Sequence, residues 1–283
     1  MVREIGAGPV VKWAGGKSQL LKHYSSFIPA KFCDYYEPFV GGGALFFYLY
    51  QQKRIGKAYL NDSNRDLVYL YLSIQNELEG LVDELSKYEA NKLSKEYFYE
   101  VRNLDRDGDA YAKLTPVQRA ARLLYLNKTC YNGLFRVNSK GQFNVPFGHY
   151  KKPRVLDIAA LSAVNHALCH ASITCLDFKP ALATAGPGDF IYMDPPYYPV
   201  SATASFTGYT ENSFSFEDQE KLAQTFRELD KKGCQVMLSN SCTGPILALY
   251  EGYRTEKIMA RRNINSEGKG RGPVPEIVVT NYE

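Results

Sequence analysis

Four consecutive residues, Asp194-Pro195-Pro196-Tyr197, offer the most concentrated chemistry in the chain. They follow Phe190-Ile191-Tyr192-Met193, an apolar run that reads as a buried strand. Two prolines pin the backbone after that strand into an extended turn. The turn presents a carboxylate, a backbone carbonyl and an aromatic face, a frame that can hold a planar amine by two hydrogen bonds and one stack. A proline-rich strand exit without chemistry has the same composition, so the tetrapeptide alone leaves both readings open. A second cluster, Gly41-Gly42-Gly43, follows the strand-like Tyr35–Val40. Glycine lets backbone approach a ligand closely, and α/β sheets bind ligands at the carboxyl ends of their strands. Asp62 ends the next strand-like run, Lys57–Leu60, about twenty residues on, a spacing that suits a ribose diol. The cluster is not GxGxxG. It is not a P-loop either, because Gly16-Lys17-Ser18 would need glycine at position 11, which is Val11. A nucleotide-like ligand fits these residues, and so does a plain tight turn.

The elements that must carry these clusters alternate. Strand-like runs at 35–40, 57–60, 173–176, 190–193, 235–238 and 277–280 are separated by helix-like stretches at 44–47, 217–229 and 245–250. That alternation predicts an α/β fold with a parallel sheet covered on both faces. Residues 68–130 read as mostly helical, and 131–150 as a loop or hairpin punctuated by Asn132-Gly133, Lys140-Gly141 and Phe147-Gly148. The expected organisation is a core of residues 1–67 and 156–283 interrupted by an insert over 68–155.

The net charge of +4 is bland, but its distribution is not. Nine basic and no acidic residues lie between Lys113 and Arg154, while the rest of the chain has 25 basic against 30 acidic residues. A solvated face normally mixes signs, so the segment predicts contact with a polyanion. Apolar residues at 45% and charged residues at 23% exclude disordered and collagen-like classes. Two long uncharged runs, 158–176 and 233–250, contain polar or Gly-Pro breaks and predict no membrane span. Six cysteines without a CxxC pair predict reduced thiols in a cytoplasmic protein. His166, Cys169, His170 and Cys175 lie close in sequence but lack the spacing of a known metal site, so no metal is expected.

Taken together and in order, the motifs resemble those of the Dam-type DNA adenine methyltransferases, which act on GATC. The resemblance covers about Val10 to Tyr282. It is carried by Lys12-Trp13-Ala14-Gly15-Gly16-Lys17, Glu37-Pro38-Phe39-Val40-Gly41-Gly42-Gly43, Asn61-Asp62, Tyr131-Asn132-Gly133-Leu134-Phe135-Arg136, Phe143-Asn144-Val145-Pro146-Phe147-Gly148 and Asp194-Pro195-Pro196-Tyr197. It implies a Rossmann-like S-adenosylmethionine-dependent methyltransferase core with an inserted helical DNA-recognition domain. It places the cofactor over the glycine turn, with Phe39, Gly41 and Gly43 beneath it, Asp62 on the ribose and Trp13 and Lys17 at the methionine end. Asp177 and Phe178 meet the cofactor's adenine, and Asp194 lies near cofactor and target alike.

The catalytic set implied is Asp194, Pro195, Pro196 and Tyr197. Asp194 and the Pro195 carbonyl accept the two hydrogens of a flipped adenine's amine, and Tyr197 stacks on its ring. Arg136 reads the guanine of GATC, Leu134, Pro146 and Tyr150 read further bases, Tyr131 and Asn132 probe the emptied stack, and Lys12 contacts the first base pair. His149 stands where family members often carry arginine. No role is assigned to residues 261–275 beyond a basic loop near DNA. The expected partner is double-stranded DNA, for a monomer in the cytoplasm at the nucleoid. The competing readings are a non-enzymatic DNA-binding regulator and a methyltransferase for RNA, for protein or for another DNA sequence.

Overall fold

The computed structural model describes residues 6–13, 15–17, 21–199, 214–261 and 273–283. Seven strands form one sheet: β1 (Tyr35–Glu37), β2 (Ala58–Asn61), β3 (Ala171–Thr174), β4 (Phe190–Met193), β5 (Gln235–Ser241), β6 (Arg254–Arg261) and β7 (Pro273–Thr280). Their order is β3-β2-β1-β4-β5-β7-β6. The first five are parallel, whereas β7 runs antiparallel to both β5 and β6. The all-parallel expectation is therefore corrected at one edge. β6 was not foreseen. It is an edge strand whose Arg254, Glu256 and Lys257 interrupt any apolar run.

Side-chain alternation splits the strands cleanly between two cores. Phe190, Tyr192, Met237 and Val278 face one cluster, while Ile191, Met193, Val236, Leu238, Ile277 and Val279 face the other. Period-two burial on both faces is why β4 reads as a continuous apolar run. The helices are α1 (Leu21–Tyr24), α2 (Ala44–Gln51), α3 (Arg65–Asn76), α4 (Leu78–Glu89), α5 (Lys95–Asn103), α6 (Gly108–Ala112), α7 (Pro116–Thr129), α8 (Ile158–Leu168), α9 (Phe178–Ala181), α10 (Phe216–Lys231) and α11 (Gly244–Leu249). α10 buries Leu222, Ala223, Phe226 and Leu229 against the second cluster, and a Ser215/Asp218 capping box starts it.

The helical region from α3 to α7 shares the first core with the sheet. Phe98, Val117, Tyr125 and Phe147 belong to the same cluster as Tyr35, Leu60 and Phe190. α7 starts at a Thr115/Gln118 capping box with Pro116 in the first turn, and it is buried nearly all round. Residues 131–150 return as a hairpin-like loop, with antiparallel bridges Cys130–Phe147 and Val137–Phe143.

Two of the basic residues assigned to a polyanion are used inside this region. Arg119 pairs with Asp66 at 2.5 Å, and the buried Arg122 pairs with Asp105 at 2.8 Å. Asp105 also accepts the backbone N–H of Phe143 at 2.8 Å and so ties down the loop. Asp105→Ala strands the Arg122 charge and frees that N–H. Removing one partner of a buried pair costs about 3–5 kcal/mol. Urea denaturation followed by circular dichroism is expected to show a loss of that order, against little change for the exposed Lys113→Ala.

Candidate active site

The strand order reverses between β1 and β4, which places a crevice at their carboxyl ends. Both chemical clusters open there. The glycine turn leaves β1, and the Asp-Pro-Pro-Tyr corner leaves β4.

The turn is shaped by left-handed backbone. Gly41 has φ +47° and Gly43 φ +67°. A Cβ on Gly41 would lie 2.8 Å from Cδ1 of Trp13, so glycine is required there by both conformation and contact. Asp62 clamps the turn: its Oδ2 accepts the N–H of Gly41 at 2.9 Å and its Oδ1 accepts the N–H of Asn64 at 2.9 Å. Burial pushes the Asp62 carboxyl above its ordinary range, and those two N–H groups pull it back. From α3, the Tyr71 hydroxyl donates to the Gly41 carbonyl at 2.8 Å.

Buried Asn61 staples three chain segments. Its amide donates to the carbonyls of Pro38 and Leu176, and its Oδ1 accepts from Thr174 and from the N–H of Leu176. This fixes the start of α9, where Asp177 is exposed and Phe178 is buried, its ring 5.5 Å from that of Phe39. The residues expected around an adenine-bearing cofactor thus lie at neighbouring strand ends.

The second corner is held from behind. Asp194 Oδ1 takes Lys17 Nζ at 2.7 Å and the Ser239 hydroxyl at 2.7 Å. Lys17 is buried. Its ammonium also donates to the Gly15 carbonyl at 2.8 Å and lies 4.6 Å from the Tyr197 ring centre. The Pro196 carbonyl accepts from the side-chain amide of Gln219 at 2.9 Å, and the N–H of Tyr198 donates to Asn240 at 3.3 Å. The Tyr197 hydroxyl donates to Glu276 Oε2 at 3.0 Å. Burial and the neighbouring carboxylates push the Tyr197 phenol well above its ordinary range, so it keeps its proton and remains a donor. Among the described residues, neither Asp194 Oδ2 nor the Pro195 carbonyl receives a hydrogen bond.

Of these holders, only Lys17 was singled out in the sequence. Ser239, Asn240, Gln219 and Glu276 were missed. The signal for three of them is a polar residue closing or interrupting an apolar strand: Ser239-Asn240 after 235–238, and Glu276 before 277–280.

The expected DNA-facing residues gather near the end of α7. Tyr131 is more than half exposed, and Asn132 has φ +57° in a tight turn. Arg136 is exposed, and its Nε donates to Asn144 Oδ1 at 2.7 Å, which leaves both terminal nitrogens of the guanidinium free of that bond. Pro146 is exposed and its carbonyl accepts the N–H of Tyr131, while Leu134 and Tyr150 are half-buried. Lys12, Lys128, Tyr150 and Arg154 line a cleft of roughly 170 Å³. Burial, with Lys12 nearby, pushes the Lys128 ammonium below its ordinary range. Exposed His149 sets its ring edge-on to Phe147. Of the segment 261–275, positions 262–272 lie outside the described residues, as does Ala14 of the first motif.

A short stretch joins the two regions. Asn127, buried at the end of α7, exchanges two hydrogen bonds with the backbone of Lys12 at 2.8 and 2.9 Å. Trp13 stacks on Phe135 with ring centres 4.8 Å apart while covering Gly41. Among the described residues no group of three or more His, Cys, Asp or Glu side chains is placed to hold a metal, and no helix is long and apolar enough to cross a membrane.

Known proteins share much of this sequence. The family model for the D12 class of N6 adenine-specific DNA methyltransferases matches residues 13–264. The chain is 43% identical over 281 residues to the type II methyltransferase M1.LlaDCHI of Lactococcus lactis subsp. cremoris, covering 99% of this chain and 97% of that one. It is 41% identical over 287 residues to the type II methyltransferase M.MjaIII of Methanocaldococcus jannaschii, covering 97% and 99%. It is 36% identical over 272 residues to the DNA adenine methylase of Escherichia coli K12, covering 95% and 93%.

Glu37, at the end of β1, is buried, and its carboxyl is pushed up to about 8 by that burial, against the bonds from the Tyr35 hydroxyl and the Phe46 N–H. A carboxyl raised in the folded state binds its proton more tightly there than in the unfolded chain. Its contribution is therefore present below its unfolded value and is lost as pH rises toward about 8. Urea midpoints between pH 5 and pH 9 (about the range of that titration) are expected to fall more steeply for the wild type than for Glu37→Gln. Parallel curves would contradict the assignment.

Proposed function

The chain belongs to the D12 class of N6 adenine-specific DNA methyltransferases, and from that premise we propose that it methylates the exocyclic amine of adenine within GATC in duplex DNA, taking the methyl group from S-adenosylmethionine. The observation that carries the reading is the acceptor corner after β4. Asp194 Oδ2 and the Pro195 carbonyl are two oxygens without a protein donor among the described residues, beside a fixed aromatic ring.

The residues present suit that cofactor. The glycine turn brings backbone close, Asp62 offers a carboxylate at a ribose-binding position, and Phe39, Phe178 and Asp177 offer faces and an acceptor for an adenine. Carboxylates at Asp62 and Asp194 suit a cationic ligand. When bound, S-adenosylmethionine supplies an electrophilic methyl carbon on a sulfonium. The protein's own contribution is to the amine. In adenine the lone pair of that nitrogen is delocalised into the ring, which makes it a poor nucleophile. Two acceptors, Asp194 Oδ2 and the Pro195 carbonyl, take its two hydrogens and favour a pyramidal nitrogen whose lone pair points out of the ring plane. The Tyr197 ring orients the base. The amine grows acidic as its new bond forms, so no histidine base is required. A base stacked in a duplex cannot reach this corner, so it must be flipped out at a cost of a few kcal/mol.

We assign residues 68–155 to recognition, with 1–67 and 156–283 as the catalytic core. Arg136 presents a guanidinium fork whose Nε is already committed to Asn144, a state that leaves the two terminal nitrogens for a guanine edge. Leu134, Pro146, Tyr150 and Lys12 read the remaining site, and Tyr131 and Asn132 occupy the emptied stack. Lys128, Lys140, Lys151, Lys152 and Arg154 supply phosphate contacts. The protein works as a monomer on the nucleoid in the cytoplasm, and the type II relatives favour a place in restriction-modification.

Labelled S-adenosylmethionine with GATC duplexes, duplexes altered at one position, and RNA tests the reading. Label is expected in GATC duplex alone, and label only in RNA or in unrelated DNA would overturn it. Asp194→Ala is expected to abolish transfer while keeping salt-sensitive DNA binding. Arg136→Ala is expected to reduce discrimination at the guanine by about 1–3 kcal/mol, measured as the ratio of kcat/KM on matched and altered sites. A uniform loss on all sequences would make Arg136 a phosphate contact instead.

A further inference from the structure

Behind the acceptor corner lies a pair of hydroxyls that the reaction itself does not touch. Ser239, on β5, is fully buried. Its hydroxyl has one hydrogen, and that hydrogen goes to Asp194 Oδ1 at 2.7 Å. The Tyr192 hydroxyl, on β4, lies 3.1 Å from Ser239 Oγ. Since Ser239 has no second hydrogen to give, Tyr192 is the donor and Ser239 the acceptor of that bond. Burial pushes the Tyr192 phenol well above its ordinary range, which keeps it protonated and able to donate. The direction of the chain is thus fixed: Tyr192 to Ser239 to Asp194.

We infer that Ser239, oriented by Tyr192, is a positioning residue that saturates Asp194 Oδ1 together with Lys17, so that Oδ2 is the oxygen turned to the target amine. The argument is one of counting. Oδ1 already takes two charge-assisted bonds, from Lys17 Nζ and Ser239 Oγ. The two donors come from opposite ends of the chain, one beside the glycine-rich stretch at 15–17 and one from the middle of the sheet. Together they stop rotation of the carboxylate about its Cβ–Cγ bond. β4 and β5 are paired with Met193 opposite Leu238, so Ser239 stands one step beyond the last register pair, level with Asp194. That register, and not the local sequence of either motif, delivers the hydroxyl. Lys17 alone would leave Oδ1 with a single donor, and the serine hydroxyl adds the second, from the neighbouring strand.

The inference rests on Asp194 being the amine's acceptor. The experiment compares Ser239→Ala, Ser239→Cys, Tyr192→Phe and Asp194→Ala with the wild type. It reads the single-turnover methylation rate on a GATC duplex at saturating S-adenosylmethionine, and separately the Kd for each ligand. A misplaced reacting group costs up to about 100-fold, so Ser239→Ala is expected to be about 10- to 100-fold slower with both Kd values within about threefold. Ser239→Cys puts a slightly larger atom and a weak donor in the same place, and is expected to fall between alanine and serine. Tyr192→Phe loses one neutral hydrogen bond and is expected to be about two- to tenfold slower. Turnover by Asp194→Ala would remove the acceptor assignment itself. If Asp194→Ala is inactive, the positioning role alone is overturned by either of two results: a Ser239→Ala rate within twofold of wild type, or a rate loss matched by an equal loss of ligand affinity.

Discussion

Asp194 is held where three separate parts of the chain meet, and its Oδ1 takes a lysine ammonium and a serine hydroxyl at once, each at 2.7 Å. A carboxylate on a strand end would ordinarily rotate. Here rotation would break two charge-assisted bonds. The prolines after it remove backbone freedom, Gln219 holds the Pro196 carbonyl, and Glu276 holds the Tyr197 ring by its hydroxyl. The result is a fixed oxygen, a fixed carbonyl and a fixed aromatic face, which is what orienting a weakly nucleophilic amine demands. The sheet, the helices and the glycine turn can be understood as the supports this corner requires.

The stretch from Lys12 to Lys17 binds that corner to the rest of the molecule. Lys12 is pinned to Asn127 at the end of α7, Trp13 lies between the Gly41 turn and Phe135, and Lys17 reaches Asp194. The described parts of one short segment therefore touch the loop proposed to read bases, the turn proposed for the cofactor and the proposed acceptor. A shift in the loop around Phe135 would press on Trp13 directly. This gives a contiguous packed connection between the loop proposed to read the site and the corner proposed to hold the amine.

The chemical motifs were legible in the sequence because proline and glycine punctuate it. Asp194-Pro195-Pro196-Tyr197 and Gly41-Gly42-Gly43 announce their turns, and the strand runs before them follow from apolar residues alone. The strand expected at 173–176 lies at 171–174, since the polar Thr174 and the staple at Asn61 end it earlier than hydropathy implies. The reversal of β7 and the existence of β6 were not legible. Direction leaves no trace in a strand's composition, and a charged edge strand resembles a loop. The basic segment was over-read for a definite reason. Arg119 and Arg122 look like any phosphate-binding arginine, and their partners Asp66 and Asp105 lie outside the segment. The polar clamps were missed on the same ground. Ser239, Gln219 and Glu276 are distant in sequence from Asp194, and only the neighbouring of β4, β5 and β7 or the packing of α10 assembles them.

The orientation of the Asp194 carboxylate is the claim on which the account turns. A crystal structure of the protein with a GATC duplex and an unreactive analogue of the methyl donor measures it directly. The account predicts the target base outside the helix, its exocyclic nitrogen within about 3 Å of both Asp194 Oδ2 and the Pro195 carbonyl, with Oδ1 still on Lys17 and Ser239. A target nitrogen bonded to Oδ1, or a carboxylate turned away from Ser239 in the complex, would contradict it.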